Sequence, residues 1–173
     1  KTRNPASHFR HVLQGPEIAY PESDSAIALE QIQEWHDFCR LKGLKYDRNR
    51  DFDGSVWDAL TEIAAAGRAA PRYDGSRYGV VIDRPQDLVV AHINSRNSRD
   101  FSWERNYLRP PHALRTQFLD ETSDYQVRER VVRWPGYVGE ISVTEELPMP
   151  GKTDPDEIWI ELRRRQYEII HRP

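Results

Sequence analysis

The sequence predicts an α+β fold, in which a helix-and-hairpin first half precedes a β-rich second half that ends in a helix. Apolar residues recur at helical spacing early in the chain, several later segments are typical of strands, and a capped helix start returns near the end. With 173 residues, 38% of them hydrophobic, the chain can form one ordinary domain or two small ones. We place the boundary near Arg84–Pro85, which gives subdomains of residues 1–85 and 86–173.

Three helices are expected in the first half. Asn4 and Pro5 are an N-cap and a first-turn proline, which predicts a helix over residues 5–14. A second helix is expected from a cap at Asp24 to Leu41, followed by Gly43. Its apolar positions at helical spacing are Ala28, Ile32, Trp35 and Cys39.

The third helix is expected to begin at the cap Ser55, with Asp58 three residues later, and to end at Gly67. Its apolar stripe consists of Val56, Leu60, Ile63 and Ala64. Asp74–Gly75 is a strong hairpin signal, so strands are expected over residues 70–73 and 77–83. Residues 44–46 are a further short candidate strand.

The second half contains three strand-like segments, which read LVVAHI from Leu88, HALRTQFLDE from His112 and YQVRERVVRW from Tyr125. A last helix is expected to run from a cap at Asp154 to about Ile170. Pro155 then occupies its first turn, and Glu157 occupies the capping-box position.

The overall composition excludes several classes of protein. A formal net charge of -3 and a pI near 6.1 provide no global attraction to nucleic acid or to an anionic membrane. The single cysteine, Cys39, excludes an internal disulfide. No apolar run approaches the ~18 residues that a membrane span requires.

Calcium binding is one hypothesis, because Asn49, Asp51, Asp53 and Gly54 resemble the beginning of an EF-hand loop. The twelfth position of that loop must supply a bidentate glutamate, and here it is Leu60. We therefore interpret the acidic cluster as a turn that brings negative charge to a helix N-terminus.

Zinc binding is a second hypothesis. His8 and His11 lie three residues apart on one expected helix, and His36 and Cys39 lie three apart on the next. The first pair does not point to one side of its helix, and the spacings match no established zinc finger. A zinc-stabilised interaction module stays an alternative.

Catalysis has little support in the sequence, so we predict a non-enzymatic protein without a cofactor. The chain has no G-x-S-x-G motif. Glu140, Glu145 and Glu146 could serve glycan hydrolysis, and a cell-wall glycan-binding or glycan-hydrolysing module is the alternative. The basic run at 163–165 can pair with Glu161 along the helix instead of contacting phosphate.

A family resemblance appears where the chain reads SVWDALTEIAAAGRAAPRYDGSRYGVVIDRPQDLVVAHINSRNS, from Ser55 to Ser98. This stretch resembles the tail-tip attachment proteins of long-tailed bacteriophages, the host-specificity protein J family typified by phage lambda. The likeness continues in NPASHFRHVLQGP near the beginning and in GKTDPDEIWIELRRRQYEIIHRP at the end. It covers nearly the whole chain, and residues 55–84 are its most specific part.

This resemblance implies an internal segment of a long virion structural protein that forms a homotrimeric hub at the tail tip of a phage or prophage. It implies barrel-like β domains with helix-bearing insertions, and assembly in the cytoplasm of the bacterial host. The expected partners are other copies of the chain and other tail-tip and tail-tube proteins, whereas the host receptor is expected to bind regions outside this chain. The family motif supplies no catalytic, cofactor-binding or metal residues.

A ring-forming subunit should keep part of its aromatic surface for its neighbours, because Trp, Tyr and Arg concentrate at interfaces. The segment RDFSWERNYLRPPH, which begins at Arg99, has this mixture. Our interface candidates are Trp103, Tyr107, Trp134 and Tyr137.

Overall fold

A computed structural model describes residues 2–49, 54–86, 89, 91–102 and 110–171. These ranges contain helices and two small sheets, one antiparallel and one mixed, which confirms the α+β class. None of the helices within these ranges has the length and apolar character needed to cross a membrane.

The first helix, α1, spans Pro5–Gln14, as predicted. The Asn4 side chain caps it by accepting a hydrogen bond from the Ala6 amide at 3.0 Å. Phe9 and Leu13 are buried on its inner side.

The prediction of one continuous helix from Asp24 is wrong. A single 3₁₀ turn occupies Asp24–Ala26, and the helix α2 begins later and spans Leu29–Lys42. The reason is a tertiary contact that holds these residues in an extended conformation. Ile27 forms a β-bridge with Tyr78, and the Ala28 amide donates to the Tyr78 carbonyl at 2.8 Å. At the other end Gly43 adopts φ +67°, a left-handed conformation that glycine accepts readily.

The third helix, α3, spans Val56–Ala66 and has the predicted capping box between Ser55 and Asp58. Leu60, Ile63 and Ala64 are buried, whereas Val56 is exposed because it lies at the first position of the helix. The hairpin that follows pairs β1, Ala69–Tyr73, with β2, Tyr78–Ile82, in antiparallel register.

The expected short strand at residues 44–46 is wrong. Here the Leu44 amide donates to the Cys39 carbonyl at 2.9 Å and so closes the end of α2. The Tyr46 amide then donates to the Arg3 carbonyl, also at 2.9 Å. These isolated bonds hold an extended linker but do not form a ladder.

The second sheet has the strand order β4-β3-β5. Its strands are β3, Ala113–Asp120, β4, Gln126–Arg133, and β5, Thr144–Glu146. β3 pairs with β4 antiparallel and with β5 parallel, which confirms two of the predicted strands. The strand predicted from Leu88 is not formed at its described residues, Val89 and 91–93. No barrel closure is seen among the described strands.

The last helix, α4, spans Pro155–His171. Asp154 caps it through its Oδ1, which accepts from the amides of Asp156 at 2.9 Å and Glu157 at 3.3 Å. The predicted return bond from Glu157 is not the one that forms, because this carboxylate accepts instead from the Lys45 amide at 3.1 Å and from Lys152.

The buried apolar residues form two clusters. The first surrounds Trp35, against which Phe9 packs edge-on at 5.6 Å, and includes Leu60. A side chain at Gly67 would collide with the Trp35 ring, whose Nε1 donates to the Gly67 carbonyl at 2.8 Å. The second cluster joins the inner side of the β4-β3-β5 sheet to α4.

Polar contacts of α4 link the two clusters. Arg68, just after α3, donates to Glu161 from Nε to Oε1 at 2.7 Å, and both side chains are largely buried. Arg164 pairs with Asp83 at the end of β2. Helix α4 therefore packs on the second sheet while it is held to the first half by ion pairs.

Candidate functional site

The β4-β3-β5 sheet separates two different sets of side chains. Leu114, Phe118 and Val132 face α4, where they pack with the buried Ile158 and Leu162. Because side chains alternate along a strand, the residues between them point to the opposite side of the sheet. We call this opposite side the outer face.

The outer face carries exposed apolar side chains. Leu119 and Val127, paired directly across β3 and β4, are 49% and 68% exposed, and Val131 is 41% exposed. Arg115 lies among them and donates to Glu129 at 3.4 Å and to Glu146 at 3.2 Å. Arg115 is thus paired with two acids of this face, Arg133 at the end of β4 donates to the Gly139 carbonyl, and the apolar groups are open to solvent.

A groove runs along the β5 side of β3. After β5, the chain is still bonded to β3 at Leu147, whose amide donates to the Arg115 carbonyl at 2.9 Å. It is bonded to β3 again at Thr153, whose carbonyl accepts from the Glu121 amide at 3.0 Å. Between these two points lie residues 148–152, here called the bowed segment, in which the Lys152 amide donates to the Met149 carbonyl at 3.3 Å. They leave a cavity of about 500 Å³ against Thr116, Gln117, Phe118 and Leu119.

The charged residues around this groove are engaged with partners in the same chain. Asp47 pairs with Arg3, Arg48 with Glu62, and Glu146 with Arg115. The Arg3 guanidinium also pairs with Glu121, and this hydrogen bond is the main reason that the pKa of Glu121 lies below its ordinary value. The groove therefore offers apolar and main-chain surface more than free charge.

A buried ion pair lies behind the groove. Lys152 is 5% exposed and Glu157 is 8% exposed. The Lys152 Nζ also donates to the Ala66 carbonyl, the last residue of α3, at 2.7 Å. This pair fixes the bowed segment to α3 and to the beginning of α4, and Glu157 Oε2 has no hydrogen-bond partner within the described part of the chain.

Two of the four predicted interface residues, Trp134 and Tyr137, lie in the described part of the chain. Trp134 is only 8% exposed and belongs to the second hydrophobic cluster, so it offers little surface to a neighbour. Tyr137 is half-buried and stacks on His112 at 4.3 Å. Trp103 and Tyr107 lie outside the described residues.

The residues of the zinc hypothesis have separate environments. His8 packs against Tyr46, and burial lowers the pKa of its imidazole. His11 lies 3.3 Å from Glu17, and Cys39 is buried, which raises the pKa of its thiol to about 12. In the ranges that the structure describes, no three His, Cys, Asp or Glu side chains are grouped so as to hold a metal ion.

The structure also describes some of the residues named for calcium binding and for glycan hydrolysis. Asp51 and Asp53 of the EF-hand comparison lie outside the described residues, and Leu60 is fully buried in the first cluster. Glu140, Glu145 and Glu146 are all exposed, and the last two are neighbours on β5, whose side chains point to opposite faces. In the basic run of α4, Arg164 pairs with Glu161 at 3.9 Å, but Arg165 pairs with Glu168 at 3.3 Å.

Sequence reasoning missed both the outer face and the groove. A signal for the outer face is that Leu119, Val127 and Val131 are apolar although they lie in the strand phase opposite to Phe118 and Val132. A signal for the groove is Pro148-Met149-Pro150, because neither proline can donate to a strand ladder.

No known protein family matches the chain, and no curated protein matches it. The likeness to phage tail-tip attachment proteins therefore depends on the sequence segments quoted above.

Proposed function

We propose that this chain is a structural component of a phage or prophage tail tip hub. It contributes to tail assembly and host attachment through protein–protein contacts, with other copies of itself and with other tail-tip and tail-tube proteins. The sequence resemblance supports the location, and the outer face of the second sheet supports the mode of action.

The outer face is the observation that carries the proposal. An apolar pair at Leu119 and Val127, with Val131 beside it, is open to water although the opposite side of the same sheet is packed. Grouped exposed apolar side chains are typical of surfaces that bind another protein. Because Arg115 is paired with Glu129 and Glu146, a neighbouring subunit can cover the apolar part of this face without separating an unpaired charge from water at its centre.

The location is tested by immunogold electron microscopy of purified tailed particles, with an antibody against this chain. We expect label at the distal end of the tail. Particles that carry label elsewhere, or none while the tail tip is accessible to a control antibody, would contradict the proposal.

The mode of action is tested in the intact protein by L119K/V127K. Lysine on the outer face should prevent a neighbour from covering it, and the number of complete tails counted by electron microscopy should fall. The matched control is Val138→Lys, since Val138 is 94% exposed and lies on the β4–β5 connection. Equal tail numbers in the two variants would contradict an assembly role for this face.

A further inference from the structure

Strand β4 lies at the edge of the second sheet. In the order β4-β3-β5 it pairs with β3 on one side, and no strand among the described residues pairs with it on the other. Its eight residues, Gln126–Arg133, are exposed except Arg130, which is half-buried, and Val132, which is buried. An edge of this length can accept a further strand, because its outward main-chain groups are not bonded within the sheet.

The register decides which main-chain groups of β4 face outward. The Arg115 carbonyl accepts from Leu147, so the odd-numbered residues of β3 direct their main-chain groups to the β5 side and the even-numbered ones to β4. Thr116 is paired with Arg130, so Arg130 and the other even-numbered residues of β4 bond back to β3. The groups that point away from the sheet belong to Val127, Glu129 and Val131.

The side chains of β4 differ on the two sides of this edge. Val127 and Val131 are apolar parts of the outer face, and Glu129 between them is already in an ion pair. Arg128 and Arg130 point to the opposite side of the sheet. A strand added to this edge would therefore meet apolar groups on one side and cations on the other.

These two arginines form no ion pair within the described ranges. Asp120, at the end of β3 on the same side, is held by its own turn, where it accepts from the Thr122 hydroxyl at 2.6 Å and from the Ser123 hydroxyl at 3.1 Å. Opposite charges that face each other across two strands are stabilising. Carboxylates two residues apart on an added strand would thus pair with Arg128 and Arg130.

A second copy of β4 does not supply these carboxylates. Two antiparallel copies keep their outer faces on the same side of a joined sheet only when the pairing is centred on a residue. Centring on Glu129 sets Arg128 of each copy opposite Arg130 of the other, and centring on Arg130 opposes two Arg130 side chains. Like charges directly opposite are destabilising, so the registers with the most overlap are disfavoured. The charges that exclude a second copy in this way favour an acidic strand.

We propose that the free edge of β4 binds an extended acidic segment of a neighbouring protein as an added β-strand. The segment has apolar residues opposite Val127 and Val131, acidic residues opposite Arg128 and Arg130, and a small uncharged residue opposite Glu129. This five-residue pattern is symmetric, so it fits a parallel or an antiparallel strand. The inference deepens the proposed function, and rests on it only for the statement that the neighbour is a tail protein.

The first test uses the capped peptide TVETEVT, which has this pattern, as the probe. Five extended residues span about 17 Å, and so short a contact buries less than the ~1,200 Å² of a standard interface, so binding should be saturable but weak. In isotopically labelled chain, the amide signals of Val127, Glu129 and Val131 should shift, and their hydrogen exchange should slow. The peptide TVKTKVT should bind at least about tenfold more weakly. No shift with TVETEVT, or equal binding of the two peptides, would overturn the proposal.

The second test reverses the charges of the edge. R128E/R130E should lose its affinity for TVETEVT and bind TVKTKVT instead, which also shows that the variant is folded. The matched control R96E/R99E, at two exposed arginines, changes the net charge equally and should keep the preference of the wild type. If R128E/R130E misfolds, R128Q/R130Q takes its place and should bind both peptides alike. A preference for TVETEVT that survives these substitutions would contradict the proposal.

The chain without peptide provides the test for a second copy as the occupant. Sedimentation velocity should show no dimer that depends on this edge. A dimer in which the amides of Val127, Glu129 and Val131 are protected from exchange would make a second copy the occupant and refute the acidic partner. All these measurements use the isolated chain, so their failure is distinguishable from failure to locate it in a tail.

Discussion

Replacing Lys152 by methionine removes the cation from the buried pair that fixes the bowed segment. The Glu157 carboxylate would keep the Lys45 amide at 3.1 Å as a donor, and the Ala66 carbonyl would lose its bond from the Lys152 Nζ. Breaking a buried ion pair from one side costs about 3–5 kcal/mol, because the remaining charge stays desolvated. We expect the free energy of unfolding of Lys152→Met to fall by that amount.

The measurement is guanidinium unfolding followed by circular dichroism. K152M/E157L should recover part of the loss, because an apolar pair of similar volume often replaces a buried ion pair at little cost, while the Lys45 amide and the Ala66 carbonyl still lose their side-chain partners. Lys42→Met, at an exposed position at the end of α2, should stay within about 0.5 kcal/mol of the wild type. A loss below about 1 kcal/mol for Lys152→Met would refute the reasoning, since an ordinary substitution costs as much.

The remaining predictions concern the first cluster, the thiol and the polar links. Leu60→Ala should cost about 2–5 kcal/mol in the same assay, because Leu60 is fully buried, whereas Val56→Ala at the exposed helix start should stay within about 0.5 kcal/mol. Cys39 should not react with a thiol reagent in the native chain, since burial raises its pKa to about 12, but should react once the chain is unfolded in denaturant; rapid native labelling would contradict this. The folded chain should lose stability in acid. Arg3 lowers the pKa of Glu121, and Lys45 lowers the pKa of Asp154. The stability that these two carboxylates contribute is therefore complete above the ordinary carboxyl pKa of about 4, and it is lost as pH falls through their lowered pKa values. Arg3→Gln should flatten this dependence, and an unchanged profile of unfolding free energy against pH would count against it.

Local signals predicted the elements whose ends are fixed by their own residues. The caps at Asn4 and Ser55 gave the starts of α1 and α3, because each side chain satisfies an amide of its own first turn. Apolar alternation similarly predicted β3 and β4, which differ from the expected segments only at their ends.

Elements whose limits depend on distant residues were predicted less well. The helix expected from Asp24 is interrupted because Ile27 bridges to Tyr78, and no residue near Ile27 indicates that contact. Glu157 likewise has the spacing of a capping box but accepts from Lys45 and Lys152, which the tertiary fold brings to it. The groove was missed for the same reason, since it exists only because the segment after Leu147 returns to Glu121.

The most direct test of the account is a cryo-electron microscopy reconstruction of the tail tip of particles that contain this chain. We predict three copies of the fold at the distal end of the tail tube, each with its outer face covered by a neighbouring protein. A well-resolved distal tip whose density has no place for α4 packed on the β4-β3-β5 sheet would contradict the central claim.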